Sequence, residues 1–210
     1  MLSWSRKSIS RDILENKLKG LTDLGNLLDI GGGKSYGYES MVKAKSIYSI
    51  NIDPKAGSTK IVDIEQKLPI KSESYDTVLC FNVLEHIYNY DNVISESNRV
   101  LRENGKILIF VPFMHHLHAH PHDLNRFSSE KLKRLLLENG FENIIVEPKV
   151  YGIFSLLFQT TIHWWVMPIR PIIKYIVVVL DIIFNKLPFY RRVSENIPLA
   201  YFVIAQRKTR

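Results

Sequence analysis

The chain has 210 residues, 46% of them hydrophobic and 23% charged, which is the balance of a folded domain and excludes a disordered one. Its one cysteine, Cys80, excludes an intrachain disulfide framework; set in an apolar run, it reads as a buried thiol in a reducing compartment. The net charge of +7 suits an anionic partner or plain solubility, and nothing in it selects between them.

The first residues lack the apolar core of a signal peptide, so a cytoplasmic location is expected. They predict a short amphipathic helix over about Arg11 to Leu18. From residue 27 on, apolar runs alternate with helical patterns. "LLDIGGG" is a buried strand ending in glycines, and "SIYSINIDP" is a second strand closed by Asp53-Pro54. "YDTVLCFNVL" and "GKILIFVPF" follow. Between these two, Val93, Ile94, Ser97, Val100 and Leu101 share one helical face, with Gly105 just past the end. In "SSEKLKRLLLENGF", Ser128 or Ser129 caps a helix whose stripe is Leu132, Leu135 and Leu136, and Gly140 stops it. "NIIVEPKV" and "PLAYFVIAQRK" complete the strands. This alternation predicts an α/β domain on a mostly parallel sheet covered by helices on both faces.

Residues 150–169 contain no Asp, Glu, Lys or Arg, and "IIKYIVVVLDIIFNKLPFYRR" is a second apolar stretch with basic residues at its margins. The chain therefore reads as one domain, with a core at about 20–149 and 198–208 and an apolar helical insertion at about 150–197. Gln159, Thr160, Thr161 and His163 in the first run, and Lys174 and Asp181 in the second, argue against a bilayer crossing. A cap over a pocket, a homodimer surface and a segment lying in a membrane interface over 150–192 remain as readings. Trp164, Trp165, Arg170, Lys174, Lys186, Arg191 and Arg192 suit the last of them.

Asp29, Gly31 and Gly33 stand at a strand-to-helix turn, at the carboxyl edge where open α/β sheets bind ligands. The dinucleotide pattern needs a third glycine at position 36, which is Tyr36, and this argues against a nicotinamide oxidoreductase. Asp53 follows the second strand, where a carboxylate can accept from both ribose hydroxyls or simply cap its own Asp-Pro turn.

The order D-x-G-x-G, Asp53, "VDIEQKLPI", "YDTV", "NVLEHI", "RVLRENG" and "ENGF" resembles the S-adenosylmethionine-dependent methyltransferases with the Rossmann-like fold, methyltransferase type 11 in particular, over roughly residues 25–147 and again in the last strand. The resemblance implies a seven-stranded sheet and S-adenosylmethionine as cofactor. It also implies roles for single residues. Asp29 with the main chain of Gly31 and Gly33 would hold the methionine part, Asp53 the ribose, and Asp63 with Ile64 the adenine; Asn82 would line the reactive end. Ser35 departs from the glycine common at its place. Glu85 and His86 would begin the next helix, with His86 facing substrate or orienting that helix. Asp76, Glu96 and Arg99 read as structural supports.

Five of the seven histidines fall in residues 115–122. A subset of the resembled family carries a similar segment here, matched by His118, Pro121, His122, Asp123, Arg126 and Phe127; His115, His116 and His120 are unmatched. A metal site, a structural loop with Asp123 paired to Arg126, and a substrate wall with His118 or His122 as proton acceptor are the three readings. Histidine is the usual base near neutral pH, and methyl transfer calls for no Lewis acid, so the substrate wall leads and no metal is assigned. Asp123 would orient an imidazole or bind a polar group of the substrate. The function expected is methylation of an oxygen on a small, glycan or lipid-linked acceptor. A non-catalytic cofactor-binding or membrane-scaffolding module is the rival. No "NPPY"-type motif is present to hold a flipped base, and nucleic acid is not the expected partner.

Overall fold

The computed structural model describes residues 7–119, 122–162, 165–166 and 168–209. His120, Pro121, His163 and Trp164 lie outside the described residues.

Seven strands form one sheet: β1 (Asn26–Ile30), β2 (Ser46–Asn51), β3 (Lys60–Ile61), β4 (Tyr75–Phe81), β5 (Leu101–Pro112), β6 (Phe141–Lys149) and β7 (Ala200–Arg207). Their order is β3-β2-β1-β4-β5-β7-β6. The first five are parallel, and β7 runs antiparallel between β5 and β6. The helices are α1 (Ile9–Leu18), α2 (Tyr90–Val100), α3 (Ser129–Glu138), α4 (Ile153–Thr160), α5 (Arg170–Phe184) and α6 (Pro188–Glu195).

The central strands are apolar on both faces because both are covered. Leu28, Ile30, Val78, Cys80, Ile107 and Ile109 pack under Val93, Ile94 and Val100 of α2 and Leu132, Leu135 and Leu136 of α3. On the other face Leu27, Leu79, Phe81, Leu108, Phe110 and Phe202 meet Leu14 and Leu18 of α1. Helix α1 therefore belongs to the core, ahead of the expected boundary at residue 20. It also starts earlier than Arg11, because the Ser8 side chain accepts the Arg11 amide and caps it.

Three local expectations are corrected. The turn after β1 leads into two 3-10 turns, Lys34–Tyr36 and Glu39–Met41, and not an α-helix. Gly37 closes the first at φ +71°, and the segment lacks a 3.6-residue apolar stripe. Glu85 and His86 lie in a 3-10 turn, Leu84–His86, and the helix proper begins at Tyr90. Helix α2 ends at Val100, with Leu101 already extended and Gly105 inside β5. There the sheet takes over the backbone: Ser74 N–H donates to Val100 O at 2.8 Å, and Leu101 pairs with Tyr75. At α3 it is Ser128 that caps, and Gly140 stands after the helix at φ +79°.

Between β6 and β7 the chain makes α4, α5 and α6. Asp181, fully buried on α5, accepts the first amides of α4, Phe154 N at 3.0 Å and Ser155 N at 2.8 Å, and the Tyr190 hydroxyl. The approach is so close that a Cβ at Gly152 would meet the carboxylate oxygen at 2.3 Å. Lys174, also on α5, is buried against Asp12 of α1 at 2.7 Å. No helix among the described residues is long and apolar enough to cross a membrane.

Candidate active site

The sheet register brings the loop residues together. Ile30 pairs with Ile50 and with Cys80, and Phe81 pairs with Phe110, so Gly31, Asn51 and Asn82 emerge side by side at the carboxyl edge. Gly31 N–H donates to Ile50 O at 2.8 Å, and Asn82 N–H to Phe110 O at 2.8 Å. Gly31 sits at φ +73° with Val83 against it, so close that a Cβ would meet Cγ2 at 2.3 Å. Any side chain there would both strain the turn and push the β4 loop aside.

Two cavities open at this edge. The first, about 300 Å³, is walled by Asn51, Ile52, Ile64, Val83 and Ile87, with Asp63 presenting a carboxylate at its rim. The second, about 310 Å³, is lined by Arg11, Tyr38, Phe110, His115 and His118. Gly31, Tyr36, Asn82 and His86 border both. Isoleucines give the first cavity apolar walls, Asp63 is a carboxylate on its lining, and the glycine loop borders it without side chains. Ile52, 60% exposed at the mouth, is the kind of side chain that a bound ring would cover.

The sequence-predicted residues fall in different places. Asp29 is buried beneath the glycine loop, and its Oδ2 has no hydrogen-bond partner among the described residues. Burial, with Glu39 nearby, pushes its carboxyl up to about 7. Asn82 stands at φ +53° and donates to the Tyr38 hydroxyl at 3.1 Å. Asp63 and Ile64 line the first cavity, with Asp63 also turning its own loop by accepting the Glu65 amide. Asp53 accepts the Lys55 amide at 2.8 Å and caps its turn; it is not among the residues lining the cavity, whereas Asn51, two residues earlier, is. Asn51 donates to Gly31 O at 2.7 Å and Gly32 O at 3.1 Å, tying β2 to the glycine loop. The sequence reading missed Asn51, although the last position of a strand beside the glycine turn was the available signal.

The histidine loop docks on the 84–87 turn. Glu85 O accepts the amides of Leu124 and Asn125, and the Asn125 side chain donates to Leu84 O and Ile87 O. Asp123 accepts from Arg126 and from the His118 amide, which holds its carboxyl well below the usual range. The same carboxylate lies 3.6 Å from His118 Nδ1. His115 is committed to structure: one ring nitrogen faces His116 O and the other faces Gln159 of α4, and burial lowers its pKa to about 4. His122 is exposed, borders the first cavity, and gives its carbonyl to His86 Nδ1. Glu85 is completely buried with both carboxylate oxygens unpartnered among the described residues, and burial pushes it up to about 8.

Comparison with known proteins agrees with this geometry. A family model described as a methyltransferase domain matches residues 1–146. An uncharacterized protein of Methanocaldococcus jannaschii is 36% identical over 90 residues, covering 40% of each chain. A protein of Mycobacterium tuberculosis, named as a probable S-adenosylmethionine-dependent methyltransferase, is 24% identical over 135 residues, 57% of this chain and 49% of that one. The chain thus spans about half or less of the length of these relatives. Among solved structures, a SAM-dependent methyltransferase from Thermotoga maritima matches with TM-score 0.62 and 15% identity over 95% of this chain and 92% of that one. Another from Archaeoglobus fulgidus matches at 0.58 and 17%, over 94% of each. The sheet order, the glycine turn and the matched domain lead to one assignment: the chain belongs to the family of S-adenosylmethionine-dependent methyltransferases.

Proposed function

We propose that this protein transfers a methyl group from S-adenosylmethionine to an oxygen of a small, glycan or lipid-linked acceptor. One observation carries the reading: two cavities of different character meet at Gly31, Asn82 and His86. The apolar one, with Asp63 at its rim, takes the adenosine, and the buried Asp29 with Gly31 and Gly33 takes the methionine end. Asn51, on the wall, steadies the loop beneath the ribose, and Asp53 stands beyond it. S-adenosylmethionine supplies a methyl group on a positively charged sulfur, so alignment of the acceptor with that carbon provides much of the rate. The second cavity does the aligning. An acceptor hydroxyl loses its proton at the imidazole wall, where His118 is oriented by Asp123 and by His116 O. His122 stands on the cofactor side of that wall. Calorimetry with S-adenosylhomocysteine and NAD side by side tests the donor: binding of the first alone supports the proposal, and binding of NAD alone overturns it.

Helix α5 favours a location for this chemistry. Its buried stripe is Pro171, Lys174, Val178 and Asp181, and its outward face carries Ile172, Tyr175, Ile176, Ile182 and Ile183. On α6, Phe189 and Val193 are also exposed, next in the chain to the basic Arg191 and Arg192. Such a face suits the interface of an anionic membrane, where apolar insertion and basic flanks add. The lipid-linked class of acceptor is reached there. Flotation with acidic liposomes at low and high salt tests this: co-flotation that weakens with salt supports it, whereas a homodimer in solution that never floats assigns the same face to a second copy.

A further inference from the structure

We propose that Glu85, His86 and His118 form a site for one divalent first-row transition cation, placed where the two cavities meet. Each offers one ligand atom, and these atoms lie within 4.8 Å of one another. Metal–ligand bonds of roughly 2.0–2.2 Å set ligand atoms about 3–4 Å apart, so small side-chain rotations close the set. His86 Nε2 already stands 3.8 Å from Glu85 Oε1.

Two independent observations point to a ligand. Glu85 has 0% exposure and, its own backbone amide aside, neither carboxyl oxygen meets a hydrogen-bond donor among the described residues. A buried carboxyl group is seldom left without partners for both oxygens. A cation on its oxygens supplies that partner. The imidazoles are also set for metal. His86 turns Nδ1 to His122 O, and His118 turns Nδ1 to His116 O at 3.2 Å, with Asp123 Oδ2 at 3.6 Å. A proton held on Nδ1 by a carbonyl leaves Nε2 with its lone pair, which is how outer partners orient metal-binding histidines. Two imidazole nitrogens and one carboxylate select a borderline cation such as zinc, cobalt, iron or manganese over calcium or magnesium.

The set is not the one expected from alternate histidines along the loop. Only His118 of the loop takes part, and the other two ligands come from the turn beneath it. Three protein ligands leave coordination positions open toward the second cavity. This part rests on the proposed methyl transfer: an acceptor hydroxyl bound there becomes more acidic. With His118 on the cation, the proton passes to solvent water in place of the imidazole, the oxygen pair forms the bond to the methyl carbon, and the C–S pair stays on sulfur.

Cation binding is tested apart from turnover. Full-length protein stripped with a chelator is titrated with Co²⁺ alone and followed by its visible absorption, then with Zn²⁺ as competitor. One Co²⁺ per chain with bands of nitrogen and oxygen ligation, displaced by Zn²⁺, is expected. Glu85→Gln, which keeps shape and burial, should weaken it about 10–100-fold, and S-adenosylhomocysteine affinity should not change. If Glu85→Gln fails to fold, His118→Gln, at a side chain 32% exposed, gives the same readout. A spectrum that never forms, or one of equal affinity in a folded variant, overturns the site. If the site fails while His118→Gln still lowers turnover, the methyltransferase reading stands and the imidazole is the base. If Co²⁺ binds and no methyl transfer or S-adenosylhomocysteine binding is found, the reverse holds.

Discussion

The strand-end site and the helical segment between β6 and β7 use the two sides of the polarity scale in opposite ways. At the strand ends, apolar side chains fill the sheet and the polar groups gather at the mouth, with Asp29 and Glu85 as buried exceptions beneath it. On α5, in the helical segment, two charged side chains are inside. Asp181 and Lys174 face protein, and the isoleucines of α5 face outward. A buried charge needs a partner, and the two regions differ in who supplies it. Asp181 and Lys174 are satisfied by the chain itself. Asp29 Oδ2 and both carboxyl oxygens of Glu85 find no such partner among the described residues and lie beneath the strand-end cavities. A buried charge met by partners from the chain builds structure, whereas Asp29 and Glu85 lie unmet beneath the cavities, where burial favours the protonated carboxyl.

The largest test of this contrast is Asp181→Ala. It strips α4 of its capping carboxylate and the Tyr190 hydroxyl of its acceptor, and the expected loss is about 3–5 kcal/mol, read as a drop in Tm by circular dichroism. Tyr190→Phe removes one of the three bonds to Asp181 and also the bond that the Tyr190 hydroxyl accepts from Ile153 N at 3.0 Å, and should cost about 1–3 kcal/mol. An unchanged melt in Asp181→Ala would show that the buried carboxylate is not what holds the segment.

Asp29→Asn probes the other kind of burial. The folded state keeps a proton on Asp29 up to about pH 7, whereas the unfolded carboxyl releases it near 3.9. The folded state therefore binds more protons between those values, and stability falls as pH rises through them. Between pH 5 and 8 the ligand-free protein should lose about 2–3 kcal/mol more than Asp29→Asn does. Equal slopes for the two proteins in urea titrations at both pH values would refute the assignment.

An effect of about the same free energy separates acceptor from donor chemistry. His118→Ala should lower turnover about 10²-fold with affinity for S-adenosylhomocysteine intact, since it lines the second cavity and not the first. A loss of cofactor affinity of the same size would place it on the wrong side. The finest comparison is between neighbours on β2 and its turn. Asn51→Ala should weaken S-adenosylhomocysteine binding about tenfold by freeing the glycine loop, and Asp53→Ala should weaken it less. The reverse order would return the ribose to Asp53.

The sequence alone carried the α/β class, because Leu, Ile and Val runs ended by glycine and separated by amphipathic helices are legible from local periodicity. It carried the start of α3 at Ser128 or Ser129 and the apolar stripe of α2 for the same reason. It placed the glycine turn after β1, since a chain can bend so sharply and be approached so closely only where side chains are missing. Where α2 stops was not legible: that was decided by β4 pairing with Leu101, a contact across the sheet. The choice between Asn51 and Asp53 on the cavity wall needed the β1–β2 register. Nor does any local pattern announce that Glu85, His86 and His118 converge, or that an aspartate in an apolar run caps a helix 27 residues away in the chain. Periodicity fixes which face of an element is apolar; only the packed neighbours decide which side chains of distant segments meet, and whether that apolar face turns inward or, as on α5, outward.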